Sequence, residues 1–402
     1  VRYADLLPEE PTLPVPDELR ATQANDDASA ADVEDFLAAT RSGATPTPVA
    51  IDMDDVSLMV YTSGSTGRPK GAMLTYRNAT YKTAVSALCN TVGADDVLLS
   101  IPPLYHIAGM LMGVNIPVFT GATNVLLYRF DPLTVLQAIQ RYRVNWWYSI
   151  APMNIAIMQL PNVRDFDLST LRVNPVTSFG VDWTEALDRQ WRGFAQNCKS
   201  FEAAYGLSET HTMDTYMPSD AVRWGTHGKP VPGAEIRIRD PETGRDVAVG
   251  ASGEIVIRSA GVFKGYRNRP DATAETLRDG WVYTGDIGCL DGEGYLTFQG
   301  RFKEMIKVSG YSVFPEEVEA ILNKHPAIAA SAVIGTPDPA KGEVVKAFVI
   351  LKPGETLDAA SLNAWARENM ATYKAPREIR FVDELPRSPA GKLLRRMLKD
   401  YP

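Results

Sequence analysis

Residues 61–71 read Tyr61-Thr62-Ser63-Gly64-Ser65-Thr66-Gly67-Arg68-Pro69-Lys70-Gly71. Three glycines and four small hydroxyl residues crowd into this run, which closes on a lysine and a glycine. Glycine lets the backbone aim its N–H groups at an anion with no Cβ in the way. The hydroxyls add donors, and Lys70 adds a full positive charge. That combination suits a polyphosphate. The bland alternative is an ordinary Ser/Gly hairpin loop, because a glycine-rich loop alone is a weak signal. The run is not a Walker loop, which needs Gly-Lys-Ser/Thr leading into a helix. Here Pro69 precedes the lysine and the apolar Ala72-Met73-Leu74 follows it. Val56-Ser57-Leu58-Met59-Val60 comes before the run. Both flanks read as strands, so the loop joins two strands and holds its anion by wrapping.

This run resembles the nucleotide loop of the adenylate-forming superfamily, which includes acyl-CoA synthetases, insect luciferases and peptide-synthetase adenylation domains. Its nearest likeness is to fatty-acid–CoA ligases. Three further runs follow in the order that family uses. In Ala204-Tyr205-Gly206-Leu207-Ser208-Glu209-Thr210 a flat ring, a glycine, a hydroxyl and a carboxylate stand close together. An adenine can stack on Tyr205. Ser208 can bond the α-phosphate, and Glu209 can hold Mg2+, a hard cation that takes oxygen ligands. Thr62 is the expected second protein contact to that metal. In Gly280-Trp281-Val282-Tyr283-Thr284-Gly285-Asp286 the acid, read as lying on a turn after a strand, can accept both ribose hydroxyls. Gly300-Arg301-Phe302-Lys303 opens the last run, and Arg301 can reach ribose or phosphate as a forked donor.

The resemblance implies more than the residues alone show. It gives an ATP/AMP site of Thr62, Ser63, Gly64, Ser65, Thr66, Gly67, Lys70, Gly180, Tyr205, Gly206, Ser208, Asp286, Arg301 and Lys392. It makes Lys392, Glu209 and Thr62 the catalytic set and Lys303 the hinge. It places His106, Ile107, Gly109, Phe179 and Gly180 in the acyl pocket, and Ser309, Gly310 and Tyr311 against CoA. Ser178-Phe179-Gly180 stands where the family has a Gly-Gly-Ala turn, so Phe179 departs from that pattern. The family's phosphate loop follows a long N-terminal region. The resemblance therefore implies that part of the large domain is missing before residue 1.

The elements that must position these groups are legible in outline. Residues 131–142 carry Leu133, Leu136, Ile139 and Tyr142 at helical spacing. Strands are expected at 171–178, 235–239, 253–258, 329–334 and 344–351, and helices at 76–88, from Pro315 and at 361–370. Residues 1–50 read as irregular surface, with a short helix at 31–39. The expected fold class is α/β and α+β. Residues 1–300 form a large AMP-binding domain, incomplete at its start, of mixed sheets with flanking helices and a β-rich subdomain. Residues 301–402 form a small, mobile α+β C-terminal domain with the hinge near 303.

Composition bounds the rest. The 402 residues are 45% hydrophobic, enough for a sizeable core. A net charge of −8 argues against nucleic acid as a partner. Residues 97–128 carry no Asp, Glu, Lys or Arg, but prolines and glycines interrupt them, so a buried core is expected rather than a membrane span. Three scattered cysteines give no disulfide or zinc spacing, and Cys198 reads as a buried thiol rather than a nucleophile. A reduced, cytoplasmic setting fits, with peripheral membrane contact and a homodimer left open. The reading is an ATP-dependent acyl-CoA synthetase with ATP, Mg2+ and coenzyme A, acting on a small-molecule carboxylic acid. Ile107, Met110, Leu111 and Met112 with Gly109, Gly113 and Gly180 favour a medium- or long-chain fatty acid. Aromatic or alicyclic acids are the alternative, as is a stand-alone adenylation enzyme loading a carrier protein. A luciferase-like oxygenase and a non-catalytic nucleotide sensor are further classes. Retained Lys392, Glu209 and Asp286 speak against the sensor.

Overall fold

A computed structural model describes residues 49–62, 69–178, 181–339, 341–387, 393–399 and 401. The short helix expected at 31–39 lies outside them. Both strands expected beside the Ser/Thr/Gly run form. Val56–Thr62 and Lys70–Thr75 pair antiparallel, with Thr62 opposite Lys70. A third strand, Gly265–Tyr266, joins the other edge of Lys70–Thr75. The helix Tyr76–Cys89 starts immediately after, because Thr75 and Asn78 satisfy each other's backbone N–H in a capping box.

The chain then builds a six-stranded parallel sheet. Val97–Ser100 pairs Thr123–Leu126 and Trp146–Trp147, and Val173–Thr177 pairs Trp146–Trp147, Ser149–Ile150 and Lys199–Glu202. Helices cover it, as a parallel sheet requires. Period-two alternation divides its residues between two cores. Leu98 and Trp146 pack with Leu111 and Ile116, while Leu99 and Trp147 pack with Leu136, Ile139 and Trp191. The uncharged 97–128 stretch becomes two strands of this sheet and the helical turns between them. Among the described residues no helix is long and apolar enough to cross a membrane.

The β-rich part is antiparallel. Glu235–Arg239, Gly253–Arg258, Trp281–Leu290 and Leu296–Arg301 pair in succession. Here the structure corrects one expectation. Asp286 lies inside the ten-residue strand Trp281–Leu290, opposite Arg301, and not on a turn. The turn-like composition before it has a local cause. Gly285 takes φ +70° where the ladder shifts register, a bulge that re-aims the following side chain.

After residue 305 a second α+β arrangement begins. Ile328–Asp338 and Gly342–Leu351 form a long hairpin flanked by Ile306–Val308 and the parallel strand Glu378–Phe381. Helices Pro315–Leu322 and Ala359–Asn369 bury Val318, Leu322, Leu362 and Ala366 against it. The fold class is therefore the expected one.

Candidate active site

Residues 63–68 lie outside the described residues, and so do Phe179, Gly180 and Lys392. What surrounds them is described. Glu209 sits in a single helical turn, Ser208–Thr210. One oxygen of its carboxylate accepts the Tyr266 hydroxyl at 2.6 Å. The Lys70 ammonium stands 4.4 Å from the centre of the same Tyr266 ring. The two ends of the loop meet at Thr62, whose hydroxyl lies 3.5 Å from the Lys70 carbonyl. The loop's last cation and the proposed metal carboxylate are thus gathered on one tyrosine. Burial first, then Glu209, raises the Tyr266 phenol above its ordinary range, so it stays a donor.

A second cluster lies four residues upstream of Glu209. Tyr205 donates its hydroxyl to Asp286 at 2.7 Å, and Arg301 Nε donates to the other Asp286 oxygen at 3.1 Å. Asp286 is 3% exposed. One face of Tyr205 is already taken by Phe298, at 6.0 Å between ring centres.

Tyr205 and Glu209 share one loop, and two features shape it. Gly206 has no room for a side chain, since a Cβ there would lie 2.3 Å from the Met213 amide nitrogen. His211, Thr212 and Met213 then take left-handed backbone in succession, with φ of 58°, 56° and 47°. Side-chained residues adopt that region at a cost, so other contacts must hold it. Lys82 and Asp214 do so. They pair at 2.6 Å, and both side chains are fully buried. Lys82 also donates to the Met213 carbonyl at 3.1 Å, and Asp214 accepts from the Thr210 hydroxyl. Burial pushes Lys82 down and Asp214 up, and each charge opposes the push on the other.

On the acyl side the structure narrows the expectations. His106 caps a short helix, with its Nδ1 accepting from the Ala108 N–H at 3.3 Å. Ile107 packs in the core with Val60, Leu74 and Phe263. The space beside Gly109 is filled by the chain itself. A Cβ there would meet the Pro103 carbonyl oxygen at 2.2 Å, and one on Gly113 would meet Leu104 at 2.9 Å. These two glycines serve close packing, so the room attributed to them for an acyl tail is not there. Next to Phe179, Ser178 is held by a buried acid. Its N–H and hydroxyl both reach Glu202, and its oxygen accepts the Trp183 N–H at 2.8 Å. Burial drives Glu202 up to about 8, against the opposing pull of Ser178.

Ser309 and Gly310 form the tip of the hairpin Ile306–Val308/Tyr311–Val313, both at positive φ. A two-residue turn of that kind asks for a glycine on local grounds alone. Tyr311 stacks on Tyr373 at 4.6 Å. Lys303 lies exposed in the helical turn Phe302–Glu304. Three residues beyond Lys392, Arg395 reaches Glu304, Glu316 and Glu319 at 2.9, 3.1 and 2.7 Å, tying that segment to the turn that carries Lys303.

Burial pushes the Cys198 thiol up to about 12, which removes it as a thiolate nucleophile. Among the described residues no cluster of three or more His, Cys, Asp or Glu could hold a metal. A nucleotide-borne Mg2+ needs only one or two protein oxygens beside substrate phosphates, so Glu209, which shares Tyr266 with Lys70, fits that ion. Sequence reasoning missed Tyr266, Lys82 and Glu202. Their partners lie 57, 132 and 24 residues away, so no local pattern marks them.

The model of the AMP-binding enzyme family matches residues 5–267, and that of the AMP-binding enzyme C-terminal domain matches 317–392. A feruloyl-CoA synthase from Amycolatopsis sp is 39% identical over 355 residues, 87% of this chain and 70% of that protein. A long-chain-fatty-acid–CoA ligase from Bacillus subtilis is 35% identical over 352 residues, 86% of this chain and 61% of its own length. The solved structure of o-succinylbenzoate CoA synthetase from Bacillus subtilis with ATP and magnesium superposes with a TM-score of 0.80 at 31% identity, covering 89% of this chain and 73% of that one. A family match over most of the chain, joined to a site that holds a lysine, a carboxylate and an Asp–Arg–Tyr cluster around the buried Asp286, places this protein in the AMP-binding enzyme family.

Proposed function

We propose that this ligase activates a ring-bearing apolar carboxylic acid, and that the residues gathered around Glu209 and Asp286 carry the adenylation step. The protein is an AMP-forming acid–thiol ligase that uses ATP, Mg2+ and coenzyme A. The acid's carboxylate attacks the α-phosphorus of ATP, pyrophosphate leaves, and an acyl-adenylate results. The CoA thiol then attacks the acyl carbonyl, and AMP leaves as the thioester forms. No side-chain nucleophile is needed in either step.

The first step brings two anions together, so its demand is electrostatic. Lys70 and the loop N–H groups meet the β- and γ-phosphates, and Lys392 neutralises charge at the reacting phosphoryl group. Asp286 accepts the ribose hydroxyls, Arg301 steadies that carboxylate, and Tyr205 packs against the adenine. Ser208 bonds the α-phosphate. Magnesium, held by Glu209 and Thr62 when bound with ATP, supplies charge neutralisation on the phosphates. For the second step, residues 301–402 turn as one body about Lys303 against residues 1–300. Lys392 then withdraws and Ser309, Gly310 and Tyr311 face the pantetheine arm.

The single observation behind the substrate reading is the packing of Gly109 and Gly113. The long-chain expectation drew on space beside them, and that space holds Pro103 and Leu104. A compact aromatic or alicyclic acid asks for less depth, and the likeness to a feruloyl-CoA synthase points the same way. Of the residues expected at the acyl pocket, His106, Phe179 and Gly180 keep that assignment in this proposal, whereas Ile107 packs in the core. A CoA-dependent AMP-release screen tests this with aryl, alicyclic, medium-chain and long-chain acids side by side. The highest kcat/KM should fall on an aryl or alicyclic acid. A best substrate among the long-chain acids would reject the ring-bearing assignment while leaving the ligase intact.

A further inference from the structure

Tyr266 lies on a short segment wedged between the phosphate loop's exit strand and the Glu209 turn. On one side, Lys264 N–H donates to the Met73 carbonyl at 2.9 Å and Arg267 N–H to the Gly71 carbonyl at 2.8 Å. On the other, Phe263 N–H donates to the Glu209 carbonyl at 2.8 Å. Residues 263–267 are thus bonded by backbone to both halves of the candidate site. Between those bonds stands one side chain, 5% exposed and packed edge-on to Phe263 at 4.9 Å. Its two ends do different things. The hydroxyl fixes one oxygen of the Glu209 carboxylate, and the ring face carries the Lys70 ammonium.

We infer that Tyr266 is a positioning residue for the magnesium–nucleotide site, orienting Glu209 through its hydroxyl and Lys70 through its ring. The ring has a physical use beyond contact. A lysine and a glutamate this near one another tend to pair directly, and a paired carboxylate is a poorer metal ligand. The aromatic face gives Lys70 a different resting place, because its quadrupole attracts a cation without neutralising it. The hydroxyl fixes one oxygen of the Glu209 carboxylate and so sets how that group faces the site. Both groups are therefore held by one side chain, the carboxylate by its hydroxyl and the ammonium by its ring.

The two ends can be tested separately. The inference rests on the magnesium role proposed for Glu209, so Glu209→Gln is run beside it. Tyr266→Phe keeps the ring and removes the hydroxyl. Tyr266→Met keeps bulk and removes both. Calorimetric titration with ATP, with and without Mg2+, reads binding directly, and Mn2+ resonance reads the ion. Loss of an outer partner of a metal ligand weakens metal binding about 10- to 100-fold. Tyr266→Phe should show that loss for the divalent ion while metal-free ATP binding stays within about twofold of the parent. Tyr266→Met should weaken metal-free ATP binding as well, roughly fivefold. In the double variant Tyr266→Phe/Glu209→Gln the divalent loss should not exceed that of Glu209→Gln alone, an outcome that general loosening of the fold would not produce. If Glu209→Gln weakens the ion and Tyr266→Phe does not, the positioning role is wrong. If Glu209→Gln leaves ion binding untouched, the magnesium site itself is wrong. Should Tyr266→Phe not fold, Tyr266→Met decides, and unchanged binding of both ion and ATP in it overturns the inference.

Discussion

Lys82→Met is the most telling single change outside the site. Lys82 and Asp214 are both 0% exposed and pair at 2.6 Å. Methionine matches the lysine stem in bulk, so the stem packing against Gly261 is largely kept. What remains is Asp214 without its cation, in a place where burial already drives its carboxyl upward. Removing one partner of such a pair costs about 3–5 kcal/mol, because the other charge is left uncompensated. The lost donor to the Met213 carbonyl adds to this, since an unmet buried acceptor costs about 1–3 kcal/mol. The left-handed run 211–213 hangs on that carbonyl and on Asp214, so the loop carrying Tyr205 and Glu209 should loosen with it. Urea unfolding gives the stability, and titration with Mg-ATP gives the site. Lys82→Met should lose at least about 3 kcal/mol. The pair replacement Lys82→Met/Asp214→Leu should recover most of that, as apolar replacement of a buried ion pair is often neutral or better. It should not recover Mg-ATP affinity, because the loop has lost its rivet. A single variant within about 1 kcal/mol of the parent, or a double variant with full Mg-ATP affinity, would mean that the Lys82–Asp214 pair does not hold this loop.

Other expectations follow from the proposed function and from the buried acids. Lys392→Ala should abolish adenylation yet leave thioester formation from a supplied acyl-adenylate largely intact, and surviving adenylation would overturn its role. Lys303→Pro should impair thioester formation more than adenylation, with equal losses in single-turnover assays of the two steps counting against a hinge there. Glu202 gives a pH signature. Its folded pKa, about 8, lies above the ordinary value of 4.5, so the folded state holds the extra proton between them. Its stabilising contribution is full below about pH 4.5 and is lost as pH rises toward about 8. Relative to Glu202→Gln, the parent should lose stability by a few kcal/mol across that window. A flat difference in melting behaviour between pH 5 and 8 would contradict it.

The sequence made the chemistry of this chain legible where it is local and opaque where it depends on pairing. The strands flanking the Ser/Thr/Gly run and the strands at 235–239 and 253–258 are short-range patterns, and the structure forms them. Thr75 and Asn78 even mark where Tyr76–Cys89 begins. Asp286 misled because Gly285 before it looks like a turn, whereas the antiparallel partners on either side keep the chain extended through the bulge. Gly109 and Gly113 misled in another way. A glycine in an apolar stretch reads as free space, yet which neighbour fills that space depends on how the chain folds back, here at Pro103 and Leu104. Ser309-Gly310 has a sufficient local reason in its turn, so its glycine says little on its own about a ligand. Tyr266, Lys82 and Glu202 acquire their meaning from residues far along the chain, and nothing beside them in sequence announces it.

Glu209, Lys70 and Asp286 are proposed to frame a magnesium nucleotide for capping a carboxylic acid with AMP. Acid-dependent exchange of labelled pyrophosphate into ATP, measured without CoA, tests this most directly. Exchange should require both Mg2+ and a carboxylic acid and should collapse in Glu209→Gln and in Asp286→Ala. Exchange that persists at the parental rate in both variants would contradict it.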